Sequence, residues 1–329
     1  MANISTRIFG LDLQSPIIAG SSSMTGHAEQ VLKLAEAGAG AVVLKSIFEE
    51  EIFAELQEEL SMRSGLNSDP EYLDYFDYVI KEDTLRKYLK LISEVKAKTT
   101  VPIVASINCV SSSEWTLFAR KIEEAGADAL ELNMFITPSD PAKSNDSSEN
   151  FYLETIQKVL HVVKIPVTVK ISHYFSNLAG MVQKLAATGV AGIVVFNRFY
   201  NPDVDIESES VVVADVLSTS HDYLLPLKWT GILSGIVDVD LAGTSGIHTS
   251  ETAIKFLLAG ASAVQIASVI YPSGASVITK MNREISDWMD KKGYKTIDEF
   301  KGKLSQKTSS AQAWERTQFM KYFGEKAFK

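Results

Sequence analysis

Eight short runs of β-branched and aliphatic residues, each ending in a small or polar residue and followed by a helical stretch, constrain this chain most. They are Pro16–Gly20, Ala41–Ser46, Pro102–Asn108, Ala129–Asn133, Val167–Ser172, Gly192–Asn197, Val239–Gly243 and Ala263–Ser268. Near-continuous apolar runs are the mark of strands buried on both faces of a parallel sheet covered by helices, whereas a half-exposed antiparallel strand alternates. Helical stretches Ala28–Ala37, Trp115–Ala125, Leu178–Thr188 and Ser250–Ala259 are closed by Gly38, Gly126, Gly189 and Gly260. Glycine at such positions takes the left-handed conformation that ends a helix. Strand, helix and glycine together make a βαβ unit, and eight units predict an α/β fold, the TIM (β/α)8 barrel.

No Pro- or Ser-rich linker divides residues 1–329, so a single domain is expected, with its core at about 15–271 and a C-terminal helical extension over 272–329. That extension contains an amphipathic helix at Val277–Asp290. Loop insertions are expected at Ile47–Lys90 after strand 2 and at Arg198–Leu233 after strand 6. Both follow the C-terminal end of a strand, where barrel enzymes build their sites.

A formal charge of −9, without a basic cluster, argues against nucleic acid as a partner. No apolar run reaches the roughly 18 residues of a membrane span, so no membrane partner is expected. One cysteine, Cys109, excludes an intrachain disulfide framework, a self-contained iron–sulfur cluster and a Cys-based zinc site. The expectations are a cytoplasmic location, no metal, a small-molecule substrate and, by default, an isologous homodimer.

In a barrel the last residue of each strand and the loop after it converge on one mouth. Here those ends carry Ser21, Lys45 and Ser46, Asn108 and Cys109, Glu131 and Asn133, Lys170, Asn197, the run Gly243-Thr244-Ser245-Gly246, and Ala267-Ser268. Lys45 and Lys170 follow apolar stretches, where an ammonium needs an anion or polar ligand. A structural ion pair, Lys170 with Glu131, is the plain alternative. Gly243–Gly246 opens a helix near Thr249, so its backbone N–H groups can cradle an anion, and loops after strands 7 and 8 of barrels often bind phosphate.

These residues resemble the dihydroorotate dehydrogenase family of FMN-dependent barrels from about Ser15 to Tyr271. SPIIAG, with Ala19 and Gly20, looks like the family's opening strand against the flavin, and VLKS resembles the strand that brings Lys45 and Ser46 to the ring. The resemblance assigns Asn108, Asn133 and Asn197 to flavin or substrate contacts and Lys170 to the reactive end of the ring. It assigns Gly243, Thr244, Ser245 and Gly246, with Ala267 and Ser268, to the phosphate. Gly65 and Leu66 are matched to a substrate loop, in which the family's first Asn has become Met62.

The family's proton-transfer loop, Asn-x-Ser-Cys-Pro-Asn or its Ser variant, is replaced by Asn133-Met134-Phe135-Ile136-Thr137-Pro138-Ser139. Ungapped, Ile136 falls on the base and cannot accept a proton; a shift of one residue makes Thr137 the candidate. Arg63 and Arg198 are charges that could meet a substrate carboxylate, and His173 and His248 stand just past strands 5 and 7. What the resemblance implies is an FMN-dependent oxidoreductase of the CH–CH type. Hydride would pass from dihydroorotate, or a related cyclic or unsaturated acid, to FMN and then to a second acceptor. The alternatives are a flavin-free phosphate-binding lyase or isomerase, and a barrel that holds FMN without dihydroorotate activity.

Overall fold

The computed structural model describes residues 2–49, 70–108, 112–142, 144–198, 202–309 and 314–315, with backbone alone at 70–81, 112–114 and 145. Cys109 and the segment with Met62, Arg63, Gly65 and Leu66 lie outside the described residues.

Eight strands form the barrel: β1 (Ile17–Ala19), β2 (Ala41–Val43), β3 (Ile103–Asn108), β4 (Ala129–Asn133), β5 (Val167–Ile171), β6 (Gly192–Val195), β7 (Asp240–Thr244) and β8 (Ala263–Ile266). Each pairs in parallel with the next, and β8 returns to β1 through Val264↔Ile17, which closes the ring. Around it run α1 (Ala28–Glu36), α2 (Pro70–Lys96), α3 (Ser112–Glu124), α4 (Asn145–Val162), α5 (Leu178–Ala187), α6 (Leu224–Leu233), α7 (Ser250–Ala259) and α8 (Ser276–Lys292). Gly38, Gly126, Gly189 and Gly260 all have φ between +92° and +115°, the left-handed conformation their places after α1, α3, α5 and α7 required.

Strand side chains divide by alternation. Outward residues such as Ile17, Val42, Leu130, Leu132, Val169 and Ile193 pack against the helices in the larger core. Inward residues at the N-terminal end of the barrel are apolar and often small: Ile18, Ala41, Val104, Ala129, Val194, Ala242 and Ala263. Two residues further along the same strands the interior becomes polar, with Ser106, Glu131, Thr244 and Gln265 buried beside Thr168 and Lys170.

An N-terminal hairpin, Thr6–Ile8 with Leu11–Leu13, plugs the apolar end. The Phe9 N–H donates to Asp240 Oδ2 at 2.7 Å, and the Phe9 ring lies where a Cβ on Gly192 would sit, at 2.1 Å. Only glycine leaves room for that ring.

Of the first expected insertion, residues 70–90 belong to α2, whose later turns cover β3. Leu85, Tyr88, Ile92 and Val95, at three- and four-residue spacing, are the apolar stripe that ties the helix to the barrel. The second insertion contains an antiparallel hairpin, Pro202–Asp205 with Ser210–Val213, whose eight residues are all exposed.

Candidate active site

A cavity of about 500 Å³ opens at the C-terminal ends of the strands, within the range of small-molecule and cofactor sites. Of the residues expected there, Ser21, Lys45, Ser46, Asn133, Lys170, Asn197, Thr244, Ser245, Gly246, Ala267 and Ser268 line it. Ala19 points outward into the larger core, and Gly20 lies behind the lining, where a Cβ would sit 3.3 Å from the Ile266 carbonyl oxygen. Gly243 serves helix packing, since a Cβ there would meet the Phe256 ring at 2.1 Å. Asn108 is half-buried at the end of β3 beside Phe48 and does not line the cavity. Nor does Thr137, which is exposed on the loop after β4.

At the floor, Lys170 Nζ donates to Gln265 Oε1 at 3.0 Å, and Gln265 Nε2 donates to Glu131 Oε2 at 2.6 Å. Lys170 Nζ stands 3.8 Å from Glu131 Oε1, so the ion pair named above as the plain alternative is present, with an amide bridging it. Nothing in the apolar run AVQIAS except the amide itself signals the part that Gln265 plays.

Beside this set a hydroxyl chain runs inward. Ser21 Oγ and Ser46 Oγ lie 3.1 Å apart, and Ser46 Oγ and Ser106 Oγ lie 2.6 Å apart. Asn133 Nδ2 donates to Ser46 Oγ at 3.4 Å, while Asn133 Oδ1 is buried without a partner among the described residues. The Tyr88 hydroxyl accepts from the Ser106 N–H at 2.8 Å, and burial pushes its pKa up.

Of the expected phosphate loop Gly243–Gly246, Gly243 and Thr244 lie within β7 and only the last two residues form the turn. Ser245 and Gly246 both take left-handed φ, +75° and +68°. A Cβ on Gly246 would meet Tyr223 N at 2.3 Å. The backbone N–H groups of Ser245, Gly246 and Ile247 have no acceptor among the described residues. Thr249 caps α7 by accepting the Thr252 N–H at 3.2 Å.

A strap, residues 215–218, closes one side. Arg198, a candidate for a substrate carboxylate, instead holds it. Its guanidinium donates to the carbonyls of Val216 at 2.7 Å, Asp215 at 3.0 Å and Leu217 at 3.1 Å, and to Asp222 Oδ2 at 3.2 Å. Burial raises the pKa of Asp222, but hydrogen bonds from Thr219 and the Arg198 charge outweigh it and hold the carboxyl below the usual range. The Ser218 N–H donates to Ser268 Oγ at 2.9 Å, and Ser218 Oγ lies 2.9 Å from His248 Nε2.

Burial lowers the pKa of His248, against weaker upward pulls from Ser218 and Asp222, and burial likewise lowers that of His173. Their folded pKa values lie below the unfolded ones, so as pH falls below about 6.5 the unfolded chain takes up protons first. The stability these imidazoles contribute is present above that pH and lost as pH falls through their folded values. The melting temperature is expected to fall between about pH 7.5 and about pH 5.5, and His248→Gln, which keeps a partner for Ser218, to flatten part of that fall. Superimposable profiles would remove His248 from the response.

The profile of the family described as dihydroorotate dehydrogenase matches residues 3–289. The catalytic subunit of dihydroorotate dehydrogenase B (NAD(+)) from Thermoplasma volcanium is 27% identical over 92% of this chain and 98% of its own length. Its counterpart in Methanocaldococcus jannaschii is 26% identical over 91% and 97%. The dihydroorotate dehydrogenase (fumarate) of Lachancea kluyveri is 29% identical over 66% of this chain and 74% of its own. The matched span takes in every strand of the barrel and every described residue that lines the cavity, and the chain therefore belongs to the dihydroorotate dehydrogenase family, FMN-dependent oxidoreductases acting on CH–CH groups.

Proposed function

We propose that this chain oxidises dihydroorotate, or a small cyclic or unsaturated acid like it, at the mouth of its barrel with FMN as the redox group. The observation that carries the reading is the Lys170 ammonium, 11% exposed at the cavity floor and held there by Gln265. The residues present fit FMN in two further respects. The N–H groups of Ser245–Ile247, beside Ala267 and Ser268, suit a phosphate, and the buried, unpartnered Asn133 Oδ1 suits a ring N–H.

FMN, when bound, supplies a two-electron acceptor whose reduced form carries negative charge. Lys170, 11% exposed at the cavity floor, would offset that charge. Lys45, on the exposed wall of the cavity, is assigned to the carboxylate of the substrate, a part Arg198 cannot play while it holds the strap. Phe48 and Phe196 add apolar surface to the cavity wall. Thr137 is assigned as proton acceptor because a one-residue shift of the loop puts its hydroxyl at the place of the family's base, where Ile136 has none.

Anaerobic addition of dihydroorotate, then of dihydropyrimidines, to the FMN-loaded protein is expected to bleach the flavin spectrum. Flavin that stays oxidised with all of them overturns the reading that this chain oxidises dihydroorotate or an acid like it. Thr137→Val should slow bleaching about 100-fold, and a rate within about threefold of the parent rejects Thr137 as the base. One observation favours a second reading, a barrel that holds FMN without dihydroorotate activity: Thr137 lies outside the cavity. The same titration decides between them.

The second electron acceptor is assigned to a separate molecule or subunit, since a lone cysteine cannot hold an iron–sulfur relay in this chain. The lone cysteine also supports a cytoplasmic location, and no helix among the described residues is long and apolar enough to cross a membrane. A homodimer is supported by the solvent-facing apolar side of the second-insertion hairpin, where Val204, Val211 and Val213 are 63–76% exposed. A solution mass of one chain would overturn it.

A further inference from the structure

Glu131, Gln265 and Lys170 join β4, β8 and β5 across the inside of the barrel, and β8 stands diametrically opposite β4 in the ring. One inward position lower the fold uses Ala129 on β4 and Ala263 on β8, with uncharged Thr168 on β5. Uncharged side chains therefore suffice to fill this interior, and a buried ion pair generally adds little to stability over apolar packing. The charged layer has to be explained by what it does at the cavity.

We propose that Glu131 and Gln265 are positioning residues that fix how much of the Lys170 charge the redox group feels, and so set its reduction potential. The inference rests on the FMN reading above. Gln265 meets a carboxylate with its NH2 and an ammonium with its oxygen, the one orientation of the amide in which both bonds form. By occupying that place it keeps the ammonium 3.8 Å from Glu131 Oε1, beyond hydrogen-bond length, and leaves it at the cavity floor. Glu131 is 1% exposed, and its Oε1 has no hydrogen bond among the described residues, so its negative charge is only partly offset where it stands. In so dry a place that charge reaches the cavity with little screening and opposes the lysine.

The two residues therefore act in opposite senses, which a merely structural role would not produce. Glu131→Gln removes the opposing charge and keeps an acceptor for Gln265 Nε2. It should favour reduced over oxidised FMN by about tenfold, a rise of about 30 mV for a two-electron couple. Gln265→Met removes the bridge at similar volume, lets Lys170 close on Glu131, and should shift the same ratio about tenfold the other way.

The test is the midpoint potential of bound FMN by dye equilibration in each holoprotein, with oxidised and reduced FMN affinities measured alongside. Shifts of opposite sign support the inference. Shifts of the same sign, or of less than about twofold in the ratio, overturn it and leave the cofactor reading standing. Should Glu131→Gln not fold, Gln265→Met decides alone: a potential at or above that of the parent overturns the inference. A parent protein that takes up no FMN overturns the cofactor reading and this inference with it.

Discussion

Lys170→Met is expected to slow flavin reduction by at least about 100-fold, the scale on which one preorganised electrostatic contact acts. The same change strands Glu131, 1% exposed, without its countercharge, and breaking a buried pair from one side costs about 3–5 kcal/mol. A lower melting temperature should therefore accompany the kinetic loss. The double variant Lys170→Met, Glu131→Gln separates the two effects. It should regain most of the stability, because no charge is left buried alone, and none of the rate. Stopped-flow reduction and thermal unfolding of the three proteins check both statements. Reduction by Lys170→Met within about threefold of the parent would remove the lysine from the chemistry.

Gly246→Ala should weaken FMN binding by about 100-fold, the equivalent of roughly 3 kcal/mol. A φ of +68° costs a residue with a Cβ about 1–2 kcal/mol. The new Cβ would also stand 2.3 Å from Tyr223 N and 2.8 Å from the Asp222 carbonyl carbon, backbone atoms that shift only if the strap and the start of α6 shift with them. Gly126→Ala is the matched control: its φ is +92° and a Cβ there meets nothing within 4 Å, so it bears the conformational cost alone, behind α3. Fluorescence quenching of FMN by each apoprotein measures the difference. Equal affinities for the two variants would show that the loop after β7 does not hold the phosphate.

The barrel was legible because its signals are local and repeated. The eight apolar runs and the glycines after four helices are each decided by a few neighbouring residues, and all became strands and helix ends. The cavity was legible where a strand end carries a residue with no apolar reason to be there, as at Lys45, Lys170, Asn133 and Asn197. Pairings across the barrel were not legible. Gln265 reads as one polar residue in an apolar strand, and its importance depends on Glu131 lying opposite, which only ring closure produces. Arg198 reads as a free cation, because the carbonyls that occupy it come from a strap whose path sequence does not specify. Gly243 reads as part of an anion loop, whereas its neighbour in space is the Phe256 ring. Charge and size were visible in the sequence; partners distant along the chain were not.

The seam between β8 and β1 determines when this protein can acquire its cofactor. Val264 pairs with Ile17, Thr6 Oγ1 donates to the Ser262 carbonyl at 3.0 Å, and Ser15 Oγ lies 2.6 Å from Asn282 Oδ1. The first strand therefore has no second neighbour until the last strand, Ala263–Ile266, has been made, since contacts so distant in sequence form late. The cavity shares that dependence: Ser21 belongs to the loop after the first strand, and Ala267 and Ser268 to the end of the last. Until the last strand has paired with the first the chain has no complete site to offer, so FMN loading follows closure of the seam.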